Sequence, residues 1–133
     1  MAIMLDADVV IRGEKGTFDL KSWLENQPDE RFEVAAVTVA ELWHGVERAS
    51  APHKNKRSQY LQTVLAVLPV IPYTEQTAYR HARIWADLEA AGTMTGYYDL
   101  IVAATALEVG SQVATFNRRH FDPVPGLTVI EPK

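Results

Sequence analysis

Short apolar runs that stop at a charge or a turn residue, each followed by a helical stretch, set the tightest limit on what this chain can fold into. Ile3 to Leu5 is the first run; it closes at Asp6, and Val9-Val10-Ile11 beyond it read as the start of a short helix. Gly13 and Gly16 bracket a loop, and Phe18 to Leu24 form a helix that ends before Pro28. Phe32 to Val37 is predicted as the second strand, with Thr38 opening a helix to about Ala49. Pro52 breaks that helix, and the next begins near His53 with Leu61, Val64, Leu65 and Leu68 as its apolar stripe. Pro69 ends it and Val70-Ile71 is a short strand. Thr74 is the N-cap of a helix with Ala78, Ala82, Trp85 and Leu88 on one face and Gly92 at its end. Leu100 to Leu107 is apolar nearly all round, so that helix is buried or lies at a subunit interface. Gly110 caps it, and Gln112 to Thr115 and Leu127 to Ile130 are the last two strands. Alternation of this kind implies an α/β fold, a three-layer α/β/α sandwich around a mostly parallel central sheet.

The 133 residues are expected to form one domain, 1–133. With 47% hydrophobic and 23% charged residues the chain has enough apolar side chains for a core and enough charge to stay in water. It contains no cysteine, which excludes disulfide scaffolds, thiolate metal sites and thiol catalysis. No apolar run approaches the ~20 residues that span a bilayer. The first residues lack the basic segment of a signal peptide, so a cytoplasmic location is expected. The net charge of −4 argues against coating nucleic acid by charge alone. It leaves open an enzyme that cuts nucleic acid through bound cations.

In open parallel sheets, sites gather beyond the carboxyl ends of the strands. Asp6 stands at such an end, Glu41 follows the second strand, Asp99 starts the apolar helix, and Asn117 follows the fourth strand. Only the fold can bring these residues together. Two carboxylates about 4 Å apart repel by roughly 1 kcal/mol in water and by more in a protein. A cluster of them calls for a hard cation with oxygen ligands, Mg²⁺ or Mn²⁺. Each residue also has a plainer use. Thr38-Val39-Ala40-Glu41 fits a capping box, Asp99 suits a first helical turn, Asp6 can cap the short helix after it, and Asn117 can nucleate a turn.

The set resembles the PIN-domain ribonucleases, in particular the VapC-type toxins of prokaryotic toxin–antitoxin pairs. The resemblance rests on Met4-Leu5-Asp6-Ala7-Asp8-Val9-Val10-Ile11, Val37-Thr38-Val39-Ala40-Glu41-Leu42 and Gly96-Tyr97-Tyr98-Asp99-Leu100-Ile101-Val102-Ala103-Ala104. Val113-Ala114-Thr115-Phe116-Asn117, His120-Phe121 and Val124-Pro125-Gly126-Leu127 complete it. It implies that Asp6, Glu41 and Asp99 are the catalytic, metal-binding acids, with Asn117 as a further ligand position. It also implies cleavage of RNA, of tRNA or rRNA type, a homodimer, and a cognate antitoxin that covers the site. Thr115, Arg118 and Arg119 are the expected substrate contacts. The chain departs from the family in two places. Ala7-Asp8 stand where the family has Thr-Asn or Thr-Ser, and Asn117 and His120 stand where it often has a fourth acid, with Asp122 just past Phe121.

Those departures keep a second reading open, a PIN-like module that binds without cutting. Asp6-Ala7-Asp8 also resembles the first motif of haloacid-dehalogenase-type phosphatases, but the lysine and late acidic pair of that class are missing. Glu41 and His44 have di-iron spacing without the second pair such a centre needs. Gly13-Glu14-Lys15-Gly16 matches a KH-type GXXG loop at a length that recurs by chance.

Overall fold

The computed structural model describes residues 2–133. The elements in chain order are β1 (Ala2–Leu5), α1 (Ala7–Lys15), α2 (Leu20–Glu25), β2 (Arg31–Ala35), α3 (Ala36–Arg48) and α4 (Ala51–Ala66). Then come β3 (Val70–Ile71), α5 (Glu75–Ala91), α6 (Tyr97–Val109), β4 (Gln112–Ala114), a 3₁₀ turn (Arg118–His120) and β5 (Val129–Ile130). The strands lie in the order β3-β2-β1-β4-β5, and every pairing is parallel. The sequence order reverses direction at β1, so the crevice between the ends of β1 and β4 is the switch point of the sheet.

Side chains alternate across a strand, and that alternation sorts the core into two layers. Ile3, Leu5, Val34 and Ala114 pack with α1, α2, α3 and α4 through Val9, Val10, Leu20, Leu42, Val46 and Leu61. Met4, Ala35 and Val113 point the other way, onto Ile84, Leu88, Leu100 and Val102 of α5 and α6. The sheet is therefore the middle layer of the expected α/β/α sandwich. The all-round apolar α6 is explained by burial, since Val102, Ala103, Ala104 and Ala106 have no exposed surface.

Three local expectations are corrected. The second strand ends at Ala35, and α3 begins at Ala36 rather than Thr38. The β-branched Val37, Thr38 and Val39 look strand-like locally, but burial at the end of the sheet carries them into a helix. Thr38 is thus inside the first turn, with a buried hydroxyl that has no partner, and α3 has no side-chain cap. The Thr38–Glu41 capping box does not form, so capping no longer accounts for Glu41. Gly13 lies within α1 instead of opening a loop. A Cβ there would stand 2.7 Å from the Tyr60 hydroxyl, so close packing explains this glycine, while Gly16 at φ 77° caps the helix. On α5 the buried face is Thr77, His81, Ile84 and Leu88, leaving Trp85 on the surface. Ala78 and Ala82 offer little apolar area, and Ile84 decides the rotation.

Candidate metal centre

Asp6 ends the central strand, and its backbone N–H still pairs with the Ala114 carbonyl at 2.9 Å. Its side chain caps α1: Oδ1 accepts from the Ala7 N–H at 2.8 Å. Its other oxygen accepts from the Thr115 hydroxyl at 2.8 Å, at the end of the neighbouring strand. The Thr115 hydroxyl in turn accepts from the Asn117 N–H at 3.0 Å, which leaves its proton for the carboxylates. Burial, then the charge of Asp8, push the Asp6 carboxyl up to about 7.

Asp8 stands one position further along α1 than the buried Ala7, on the same side as the ends of β1 and β4. Its Oδ2 accepts from the Phe116 N–H at 3.0 Å, from Asn117 Nδ2 at 3.0 Å and, more weakly, from the Thr115 hydroxyl at 3.4 Å. Its Oδ1 is buried with no partner. Burial raises this carboxyl too, against the pull of the Phe116 N–H and of Arg12. The Arg12 guanidinium lies 4.2 Å over the Phe116 ring, which fixes its charge near Asp8.

Glu41 reaches the same region from α3. Burial and the charges of Asp99 and Asp8 push its carboxyl up to about 7, and its Oε1 is also buried without a partner. Asp99 comes from the first turn of α6, where Gly96 is the N-cap. A Cβ at position 96 would stand 3.0 Å from Asp99 Oδ2, so any larger residue there would push the carboxylate by a few tenths of an ångström. Burial raises Asp99, and His120, with Nδ1 at 3.2 Å, pulls it back down. His120 is held by the Thr95 hydroxyl on its carbonyl and by Phe121, which is fully buried in the core.

The fold thus brings Asp6, Glu41 and Asp99 to one end of the sheet and adds Asp8 between them. Each acid feels at least one of the others, and all four carboxyls are raised. They share a region without closing on one point. Among the described residues no three His, Asp or Glu side chains are spaced to grip one ion as they stand. Uncompensated carboxylates hold one another apart, and a cation is what draws such a set inward. The two orphaned oxygens, on Asp8 and Glu41, and the all-oxygen donor set fit Mg²⁺ or Mn²⁺.

Of the other expected site residues, Thr115 is fully buried and its hydroxyl is spent on Asp6, so it offers no surface to a substrate. Asn117 is exposed at its tip, and its amide nitrogen is committed to Asp8. Arg118 turns back onto its own fold, donating to the Val129 carbonyl at 2.8 Å and lying 3.6 Å from Asp122. Arg119 is exposed. Sequence reasoning missed Asp8 and the contact of His120 with Asp99. The signal for Asp8 was its place two residues after a strand-end acid; His120 was marked only as standing where a fourth acid is often found, and its contact with Asp99 had no local signal.

The fold and the cluster define an open parallel α/β domain with four carboxylates gathered at its switch point. The PIN domain family model matches residues 3–127, and the chain belongs to that family. Among curated relatives, it is 27% identical to Ribonuclease VapC of Rickettsia bellii, over 98% of this chain and 96% of that one. It is 31% identical to the tRNA(fMet)-specific endonuclease VapC of Salmonella typhimurium, over 80% of this chain and 86% of that one. Among solved structures, a DNA-bound VapBC from Salmonella typhimurium superposes with a TM-score of 0.89 at 26% identity, covering 98% of each chain. VapBC2 from Rickettsia felis, bound to a promoter DNA fragment, has the same fold at a TM-score of 0.93, 21% identity and full coverage of both chains.

Proposed function

We propose that this chain is a Mg²⁺- or Mn²⁺-dependent endoribonuclease and the toxin of a type II toxin–antitoxin pair. One observation carries the reading: four carboxylates gathered at the switch point of a PIN domain, two of them with a buried oxygen that no protein group satisfies. Asp6, Glu41 and Asp99 are the residues that would hold the ion. When bound, the cation supplies neutralisation of the cluster and Lewis-acid polarisation of a phosphodiester. The chain's own groups do the positioning. Thr115 fixes the Asp6 carboxylate, and the Ala7 N–H holds its other oxygen in line. His120 favours the ionised form of Asp99. Arg119, exposed in the turn after β4, is the basic side chain we assign to an RNA phosphate.

The partners follow from surfaces outside the centre. An apolar cleft of about 730 Å³ between α2, the end of α1 and α4, lined by Phe18, Leu20, Leu24, Tyr60, Val64 and Val67, suits an amphipathic segment of a cognate antitoxin. The support is that the solved neighbours are VapBC assemblies. On the opposite layer the exposed Trp85, Met94 and Tyr97 line one shallow pocket, with Tyr98 against Tyr97, an apolar patch that suits a second copy of the chain. Among the described residues no helix is long and apolar enough to cross a membrane.

The test is cleavage of a total RNA pool, tRNA and rRNA included, by antitoxin-free protein with Mg²⁺ or Mn²⁺, with the new RNA ends sequenced. Discrete ends that vanish with EDTA and with Asp99→Asn support the reading. An intact pool in Mn²⁺ would leave the binding module as the better description.

A further inference from the structure

We propose that Asp8 is a carboxylate ligand of the metal centre and that Asn117 is its positioning residue, an exchange of roles between two side chains that touch. This rests on the metal-dependent reading above and goes beyond it, because position 117 was the expected ligand and Asp8 was not among the site acids. The geometry separates the two. Three donors converge on Asp8 Oδ2: the Phe116 N–H, Asn117 Nδ2 and the Thr115 hydroxyl. They lock the carboxylate in one rotamer, and its second oxygen, Oδ1, is left buried and unsatisfied. A buried carboxylate oxygen without a donor loses its hydration and gains nothing from the protein. Glu41 presents the other such oxygen in the cluster, and its carboxylate feels Asp8 directly. Asp8 therefore keeps, within the acidic cluster, one carboxylate oxygen that no protein donor satisfies and that a cation can use. Asn117 is arranged the opposite way. Its amide acts as a donor, to an acid, and its backbone N–H is spent on Thr115. A neutral amide used as a donor cannot replace a carboxylate in the charge balance of a divalent site, but it can orient one.

The pair is nearly isosteric, so the roles can be swapped by mutation. Four proteins are compared at pH 8, free of antitoxin: wild type, Asp8→Asn, Asn117→Ala, and the double exchange Asp8→Asn with Asn117→Asp. Mn²⁺ affinity is read by titration calorimetry, and melting temperature is read in EDTA and in Mn²⁺. Asp8→Asn should weaken Mn²⁺ binding by about tenfold or more while raising the melting temperature in EDTA, because one of four mutually repelling acids is gone. Asn117→Ala should weaken Mn²⁺ binding less than that, since the ligand remains and only its orientation suffers. The double exchange should recover Mn²⁺ affinity to within a few fold of wild type, with the hydrogen bond restored in reversed polarity. Because it keeps both the bond and the charge, it also guards against reading a misfolded single variant as a lost ligand. Unchanged Mn²⁺ affinity in Asp8→Asn overturns the proposal and leaves the nuclease reading standing. So does a larger loss in Asn117→Ala than in Asp8→Asn, which would make the amide the ligand. Wild type that binds no Mn²⁺ at millimolar concentration overturns both.

Discussion

Replacing Asp6 by Asn should make the metal-free protein more stable and the metal-loaded protein less so. Asp6 is 6% exposed, and its carboxyl is raised from 3.8 to about 7 by burial and by Asp8. At ~1.4 kcal/mol per pKa unit, keeping that charge above pH 7 costs up to ~4 kcal/mol. Asn retains the cap on α1, because its side-chain oxygen can still accept from the Ala7 N–H. It loses part of the gain where its amide meets the Thr115 hydroxyl, so a net stabilisation of ~1–2 kcal/mol is expected, or ~3–6 °C in a chain of this size. The assay is thermal unfolding at pH 8 by circular dichroism, in EDTA and in millimolar Mg²⁺ or Mn²⁺. Wild type should gain stability with the metal, and Asp6→Asn should gain little, so that the order of the two proteins narrows or reverses. A variant that melts below wild type in EDTA would refute the reasoning, because it would show the carboxylate to be a structural anchor rather than a strained ligand.

The metal-free stability itself should fall as pH rises. Asp6 and Glu41 both have folded-state values near 7 against ordinary values of 3.8 and 4.5. Across that window the folded chain binds more protons than the unfolded chain, so the slope of stability against pH is negative and levels off above about 7. Urea midpoints from pH 5 to 8 in EDTA check the sign, and Asp6→Asn should flatten the slope. Gly96→Ala should lower cleavage by about tenfold or more with little loss of fold, because its Cβ would press on Asp99 Oδ2; equal activity would show that the carboxylate has room to move. Thr115→Val should cost about 1–2 kcal/mol of stability and weaken Mn²⁺ binding, since Asp6 loses its hydroxyl donor. A variant as stable as wild type, with unchanged Mn²⁺ affinity, would count against a positioning role.

The layers of the fold were legible because most strands are short apolar runs and several are closed by a distinct stop. Leu5 followed by Asp6, and Ile71 followed by Pro72, mark strand ends that the structure keeps. The start of α3 was not legible. Val37, Thr38 and Val39 favour a strand locally, and only packing against the sheet decides otherwise. The acids Asp6, Glu41 and Asp99 could be picked out because each follows a strand or opens a helix at the carboxyl end of the sheet. Asp8 looked like an added charge, and its partners at 115, 116 and 117 lie more than a hundred residues away. No periodicity can register a bond across that separation. The turn at Arg118 to His120 poses the same difficulty. Arg118 reads as a basic contact for RNA, and its bonds to Val129 and Asp122 could not be read beside it in the sequence.

The seam between β1 and β4 joins two segments more than a hundred residues apart. Thr115 and Asn117, which hold Asp6 and Asp8 in place, are made more than a hundred residues after them. A half-synthesised chain therefore carries the acids without the groups that arm them. The centre can form only after β4 and the turn that follows it have been made and β4 has paired with β1.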